Sequence, residues 1–118
     1  MIKGHENITT ELTPEEIWLA NEMIQFFKTK TKDNQVKSIQ IVTGINKHYK
    51  LKKRFTDVRL RRIVNYYRVN AILPVISSSN GYYVSYNEDD INDMVLSLNQ
   101  RANSIYECAK GLQRIIKK

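Results

Sequence analysis

Residues 56–86 have the sequence TDVRLRRIVNYYRVNAILPVISSSNGYYVSY, in which a helical pattern is followed by a hairpin pattern. Thr56 is a candidate N-cap, and Asp57 stands in the first turn, where the helix dipole favours a carboxylate. Four apolar residues then recur at helical spacing and form one stripe, namely Leu60, Ile63, Val64 and Tyr67. The pattern predicts a helix over about residues 56–70.

After Ala71 the pattern changes to two short β-prone runs, 72–76 and 82–86. They are joined by Ser77–Gly81, and an Asn-Gly pair between apolar runs is a strong signal for a hairpin. Pro74 cannot donate a ladder hydrogen bond, so the first strand is expected at an edge. We therefore expect a two-stranded hairpin over about residues 72–86.

Two helices are predicted before this stretch. Residues 13–16, Thr-Pro-Glu-Glu, form a capping-box helix start, and the helix should run to about Lys30. A second helix is predicted over 37–45, with Ile39, Val42 and Ile45 facing inward and Gly44 near its end. A brief strand over 35–39 is the alternative, because Val36 and Ile39 are β-prone. Residues 1–12 carry little pattern and are expected to be a flexible lead-in.

The last segment predicts a long helix over about residues 88–116, capped by Asn87 and roughly 45 Å long at 1.5 Å per residue. Arg101 and Ala102 interrupt an otherwise apolar heptad pattern of Ile91, Met94, Leu98, Ile105, Cys108, Leu112 and Ile115. Such a helix is too long for one small domain to cover, which favours a homodimer with a seam through Leu98, Ile105 and Leu112. The alternative is a helix that folds back across its own domain.

Composition limits the class of protein. A length of 118 residues suits one domain, expected over 13–118, and no apolar run approaches the roughly 20 residues that a membrane span needs. The first residues lack the apolar core of a secretory signal, and the single cysteine, Cys108, excludes an intramolecular disulfide. We therefore expect a cytoplasmic protein without membrane association.

The net charge of +7 is unevenly distributed. Residues 28–68 hold 13 basic and two acidic residues, whereas the rest of the chain holds 6 basic and 10 acidic residues. The basic charge therefore clusters around the predicted helix 56–70. A cluster of this kind indicates a polyanionic partner, although a basic face can also serve solubility alone.

No catalytic or metal-binding set is visible in the sequence. His5 and His48 lack a nucleophile, base or ligand partner nearby, and Cys108 lies on the apolar side of a predicted helix. The acidic run 88–93 lacks the glycine and the alternating ligands of a calcium loop. We expect no enzymatic activity, no cofactor and no metal.

Binding to double-stranded DNA is the mechanism that the pattern favours. We expect the polar face of helix 56–70 to read base edges in the major groove, because arginine can grip guanine and asparagine can grip adenine. The residues expected to face the bases are Arg59, Arg61, Arg62, Asn65 and Tyr66. Lys47, Lys50, Lys52, Lys53 and Arg54 are expected to contact phosphates. The hairpin tip, Ser78, Ser79 and Asn80, is expected to touch backbone or the minor groove.

Residues 60–84, LRRIVNYYRVNAILPVISSSNGYYV, resemble the core of winged-helix domains, especially small ones from phage and prophage replication or regulatory regions. The matching residues are Leu60, Arg61, Arg68, Ile76, Gly81 and Tyr82. The resemblance covers about residues 35–105. It implies a mainly α fold with a small β-hairpin, a winged helix-turn-helix with an added N-terminal helix and a long C-terminal helix. Helix 56–70 would be the recognition helix and 72–86 the wing.

Together these observations predict a DNA-binding protein of a phage or mobile element. It would act by occupancy, as a transcriptional regulator or an accessory to DNA replication. The competing hypothesis is a protein–protein interaction module that docks its basic face on an acidic host protein, because winged helices serve both purposes.

Overall fold

The computed structural model describes residues 11–116 of the chain, which divides into two compact units. One unit ends at Ser85 and the other begins at Tyr86. The architecture is mainly helical, with one two-stranded antiparallel hairpin and a long C-terminal helix, as the sequence predicts. Most of the predicted flexible lead-in, residues 1–10, lies outside the described residues. Within residues 11–116 no helix is both long and apolar enough to cross a membrane.

Two short helices replace the single helix predicted over the N-terminal region. Helix α1 spans Pro14–Glu22 and helix α2 spans Ile24–Lys28, with a break at Met23. The hydroxyl of Tyr67 donates to the carbonyl of Ala20, which is the group that the amide of Ile24 would use in a continuous helix. The helix predicted up to about Lys30 is interrupted at one residue, Met23, and ends at Lys28.

Helix α3 spans Ser38–His48 and is longer than predicted. Ile45 is buried and Val42 packs partly buried against the core, as predicted, whereas Ile39 is 66% exposed and Ile41 is buried instead. Gly44 lies in the helix interior rather than near its end, and an added Cβ there would meet nothing within 4 Å. The alternative strand over 35–39 is reduced to one residue. Just before the helix, Val36 makes a single antiparallel bridge to Tyr82.

Helix α4 spans Asp57–Val69, close to the predicted bounds. The side chain of Thr56 accepts from the amide of Arg59 at 3.3 Å and caps the first turn. The predicted apolar stripe is confirmed, since Leu60, Ile63, Val64 and Tyr67 are all buried. They belong to one core cluster with residues from all four helices of this unit and from the segments that precede and follow α4, including Leu19, Phe27, Ile45, Phe55, Leu73 and Val75.

The hairpin consists of strands β1, Val75–Ser78, and β2, Gly81–Val84. Ser78 pairs with Gly81, so the connecting loop is Ser79–Asn80 and the first strand begins later than the predicted residue 72. Gly81 has φ +133, and a Cβ at this position would lie 2.4 Å from the carbonyl oxygen of Val36. The glycine is thus required where the hairpin approaches the backbone before α3.

The second unit is formed by helix α5, Glu88–Ile116, as predicted. The side-chain oxygen of Asn87 accepts from the amides of Asp89 and Asp90 at 2.9 and 3.2 Å. The cap is therefore the one that the sequence indicates.

Helix α4 ends in a Schellman motif with an alanine at its left-handed position. Ala71 has φ +53, and the amide of Ile72 donates to the carbonyl of Tyr67 at 2.8 Å. The amide of Ala71 donates to the carbonyl of Arg68 at 3.2 Å. A side chain in this conformation is strained, and glycine is the residue that usually occupies it.

We predict that Ala71→Gly raises the free energy of unfolding by about 0.5–1 kcal/mol, because glycine removes the strain at positive φ. Chemical denaturation followed by circular dichroism would measure the change. Ala71→Val is the matched control and should lower stability, since a β-branched side chain tolerates positive φ least. A lower stability for Ala71→Gly would contradict the assignment of strain to this residue.

Candidate nucleic-acid interface

The basic loop, defined here as residues 47–55, comprises the last two residues of α3 and the connection from α3 to α4, and it carries five basic side chains. All five are exposed: Lys47, Lys50, Lys52, Lys53 and Arg54. These are the residues that the sequence predicts as phosphate contacts. The structure brings them together on one short stretch of surface beside the start of α4.

The end of the basic loop is anchored through Asn46 and Phe55. The side chain of Asn46 accepts from the amide of Phe55 at 2.9 Å and donates to its carbonyl at 3.0 Å. The Phe55 ring is fully buried in the core. A side-chain amide that satisfies both backbone groups of one residue fixes the path of the chain, so the exposed cations stand on an ordered backbone.

Glu15 and Arg59 hold the middle of the basic loop. A carboxylate oxygen of Glu15 accepts from the amide of Lys52 at 2.9 Å. The guanidinium of Arg59 donates to the carbonyls of Lys53 and Arg54 at 2.8 and 3.3 Å. Because Arg59 is also paired with Glu15 at 2.9 Å, α1, α4 and the loop are linked by one polar network.

Glu16 is the buried centre of this network. Its side chain is 1% exposed and lies 2.9 Å from the guanidinium of Arg59 and 3.2 Å from that of Arg62. Glu16 also completes the capping box of α1, accepting from the amide of Thr13 at 3.0 Å. A buried carboxylate needs partners of this kind, since an unpaired charge is costly in the interior.

This arrangement corrects the predicted orientation of two arginines. Arg59 and Arg62 were expected to face DNA bases, but their side chains are only 13% and 21% exposed and turn toward Glu16. Arg62 additionally donates to the carbonyl of Glu11 at 3.0 Å. The helical spacing places both residues on the side of α4 that packs on α1. There both guanidiniums form ion pairs with the buried carboxylate of Glu16 in α1.

The ion pairs shift the pKa values of their members. Burial alone would raise the pKa of Glu16, but the Thr13 amide and the two guanidiniums outweigh it and lower that pKa below its ordinary value of 4.5. The amide of Lys52 and the guanidinium of Arg59 likewise lower the pKa of Glu15. Burial alone would lower the pKa of Arg59, but pairing with Glu15 and Glu16 raises it overall. The network is therefore fully charged at neutral pH.

The outward side of α4 carries Arg61 and Asn65, which the sequence predicts, and two valines, which it does not. Arg61 is 62% exposed and pairs loosely with Asp57 at 3.3 Å, whereas Asn65 is half-buried. Val58 and Val69 are 55% and 82% exposed. Their position opposite the buried stripe follows from the helical spacing of α4.

The remaining predicted residues lie at the edge of this surface. Tyr66 is half-buried and packs against the core, so it is less available than expected. Ser79 and Asn80 are exposed at the hairpin tip, while Ser78 donates to the side-chain oxygen of Gln35 at 2.6 Å. Arg68 donates to the carbonyl of Val75 at 3.0 Å and ties α4 to β1.

Comparison of the chain with known protein families, with curated proteins and with solved structures finds no significant match. The function is therefore argued from the surface itself. That surface presents an ordered row of cations beside a helix whose outward side carries one arginine, one amide and two small apolar side chains. Within residues 11–116 no group of three His, Cys, Asp or Glu side chains is placed to hold a metal ion.

We predict that Arg59→Ala lowers the free energy of unfolding by about 3 kcal/mol, because it removes a partner from a buried carboxylate and two hydrogen bonds from the loop. Arg61→Ala is the matched control on the same helix and should change stability by about 0.5 kcal/mol or less, since its pair is exposed. Urea denaturation measures both. Equal effects would show that the Glu16 network contributes little.

We predict that stability falls as the pH drops below about 4.5, the ordinary value for a glutamate. A carboxyl with a lowered folded-state pKa stabilises the fold above its unfolded pKa, and this stabilisation is lost as the pH falls through the folded pKa. Melting temperatures between pH 7 and pH 3 would measure the loss for the wild type and for Glu16→Gln. The variant should show a smaller decrease; parallel curves would contradict the assignment to Glu16.

Proposed function

We propose that this chain binds double-stranded DNA as a winged-helix protein, with α4 as the recognition helix and the β1–β2 hairpin as the wing. The element order supports this: three helices before α4, the bridge of Val36 to Tyr82, and a hairpin directly after α4. The protein would act by occupancy, as a transcriptional regulator or replication accessory of a phage or mobile element. Fold alone does not establish a function, so the argument rests on the surface.

The observation that carries the proposal is the anchoring of the basic loop. Glu15, Asn46 and Arg59 hold the backbone of residues 52–55 through hydrogen bonds of 2.8–3.3 Å. Five exposed cations stand on this backbone and beside it. A basic segment kept only for solubility needs no such anchoring, whereas phosphate contacts benefit because less conformational entropy is lost on binding.

Arg61 and Asn65 are the residues proposed to read sequence. Both lie on the outward side of α4, next to the loop that would position the helix against the phosphates. Arginine can donate two hydrogen bonds to guanine, and asparagine can pair with adenine through one donor and one acceptor. Val58 and Val69 would supply apolar contacts to thymine methyl groups on either side.

Two copies of the chain are proposed to bind together. Helix α5 carries exposed apolar residues at heptad spacing, including Ile105 and Leu112. Pairing through α5 would give a homodimer with two recognition helices. Such a dimer binds two half-sites related by two-fold symmetry, about one helical turn apart.

Selection from a random duplex library at near-physiological salt tests the proposal. We expect recovery of a defined motif, and an inverted repeat would match a dimer. Recovery of bulk DNA without a motif would contradict the proposed role of α4 in reading the DNA sequence. No retention of DNA would overturn the proposal and favour the acidic protein partner, to be tested by binding to acidic polypeptides.

We predict that two double variants separate affinity from sequence reading. Lys52→Ala with Lys53→Ala should weaken binding to all duplexes alike, because lysine contacts to phosphates carry no sequence information. The slope of log affinity against log salt concentration should become shallower by about two, one for each lost phosphate contact. Arg61→Ala with Asn65→Ala should reduce discrimination between the selected motif and random duplex about tenfold or more. Fluorescence anisotropy over a salt series measures both.

Lys28→Ala is the matched control for charge, because Lys28 is an exposed lysine of α2 outside the basic loop. It should leave affinity and discrimination nearly unchanged. If the Arg61 and Asn65 variant lost affinity equally for all sequences, α4 would not be the reading element.

A further inference from the structure

Helix α5 has an exposed apolar stripe along its second half. The stripe is defined here by the heptad a and d positions, which are Leu98, Arg101, Ile105, Cys108, Leu112 and Ile115. Ile105, Leu112 and Ile115 are 56%, 65% and 67% exposed, and Cys108 is exposed as well. A stripe at this spacing is typical of the seam between two paired helices.

Between Arg101 and Leu112 the residues that flank the stripe are small. They occupy the heptad e and g positions and are Ala102, Ser104, Ala109 and Gly111, whereas the next e position, at the end of the helix, is Ile116. Gly111 lies within the helix, and an added Cβ would only make ordinary contact with the side chain of Arg114 at 3.7 Å. Helix α5 itself thus does not require a glycine there. Small flanking residues allow a second helix to approach closely, since interaxial distance depends on the side chains at the contact.

Charge determines which direction the second helix can take. Arg101 is the one charged member of the stripe, and Lys110 and Arg114 are the other basic residues of its second half within the described chain. A parallel pair in register would place Arg101 directly against its own copy in the seam. Two like charges at close range and partly removed from water repel strongly, so this direction is disfavoured.

We propose that α5 pairs with α5 of a second copy in an antiparallel arrangement. In the proposed register Ile105 faces Cys108 of the second copy, Arg101 faces Leu112, and Leu98 faces Ile115. Eleven residues separate Arg101 from Leu112, so the two copies of Arg101 lie ~16 Å apart along the axis. The methylene stem of Arg101 covers Leu112, and its guanidinium reaches water.

This register follows from the stripe itself. It brings every member of the stripe against a member of the other copy, and no other antiparallel register of a against d positions does so. The inference rests on the proposed pairing of two copies and does not depend on DNA binding.

Two single-cysteine variants of the full chain test the arrangement. Both carry Cys108→Ser; one adds Leu98→Cys and the other Ile115→Cys, so that Arg101 is kept in both. In the antiparallel register neither variant can form a disulfide with its own copy, because equal positions lie ~25 Å apart. An equimolar mixture should form a disulfide-linked heterodimer under mild oxidation, because Cα atoms of facing positions come within bridging distance.

Non-reducing electrophoresis and mass spectrometry identify the linked species. A heterodimer from the mixture, with no dimer from either variant alone, supports the proposal. A disulfide-linked dimer from either variant alone would indicate a parallel seam and overturn it. Absence of any linked species would overturn the proposed register.

The mass of the unmodified protein, measured by light scattering, separates two kinds of failure. A monomer would overturn the proposed pairing of two copies as well as the register. A dimer without the predicted disulfides would overturn only the arrangement of α5.

Discussion

The buried carboxylate of Glu16 is the constraint on which the first unit depends. The same residue caps α1 through Thr13 and binds Arg59 and Arg62 of α4. Because a buried charge must be paired, α1 and α4 have few alternative positions relative to each other. Arg59 then uses its remaining donors on the backbone of the basic loop. One electrostatic requirement therefore determines helix packing and the course of the surface loop together.

This requirement also explains which residues remain for a partner. Arginines are often assigned to recognition because they are charged. Two of the four arginines on α4, however, form ion pairs with the buried carboxylate of Glu16. A third, Arg68, donates a hydrogen bond to the backbone of β1. Arg61 is left facing outward. Removing positive charge from α4 would therefore have different consequences at each position. Most of the basic character of the proposed interface comes from the loop instead of the helix.

Local signals predicted the elements whose causes lie within a few residues. The caps at Thr13, Thr56 and Asn87, the stripe of α4 and the Asn-Gly hairpin were all readable from spacing. The break at Met23 was not readable from the local pattern, and the hydrogen bond beside it, from Tyr67 to Ala20, joins residues far apart in the chain. The orientation of Arg59 and Arg62 was hidden for the same reason. Their partner Glu16 looked like a capping residue, and nothing in the sequence showed that it would be buried.

Two glycines lie inside helices at positions where the fold of a single chain does not require glycine. Gly81 is explained by its positive φ and the approach of Val36, whereas Gly44 and Gly111 sit inside helices where a side chain would fit. A glycine in a helix interior costs about 1 kcal/mol relative to alanine. At Gly111 this cost is offset if a second helix packs closely against α5. In the proposed antiparallel pair, a small residue would allow the close contact and the charge of Arg101 would set its direction.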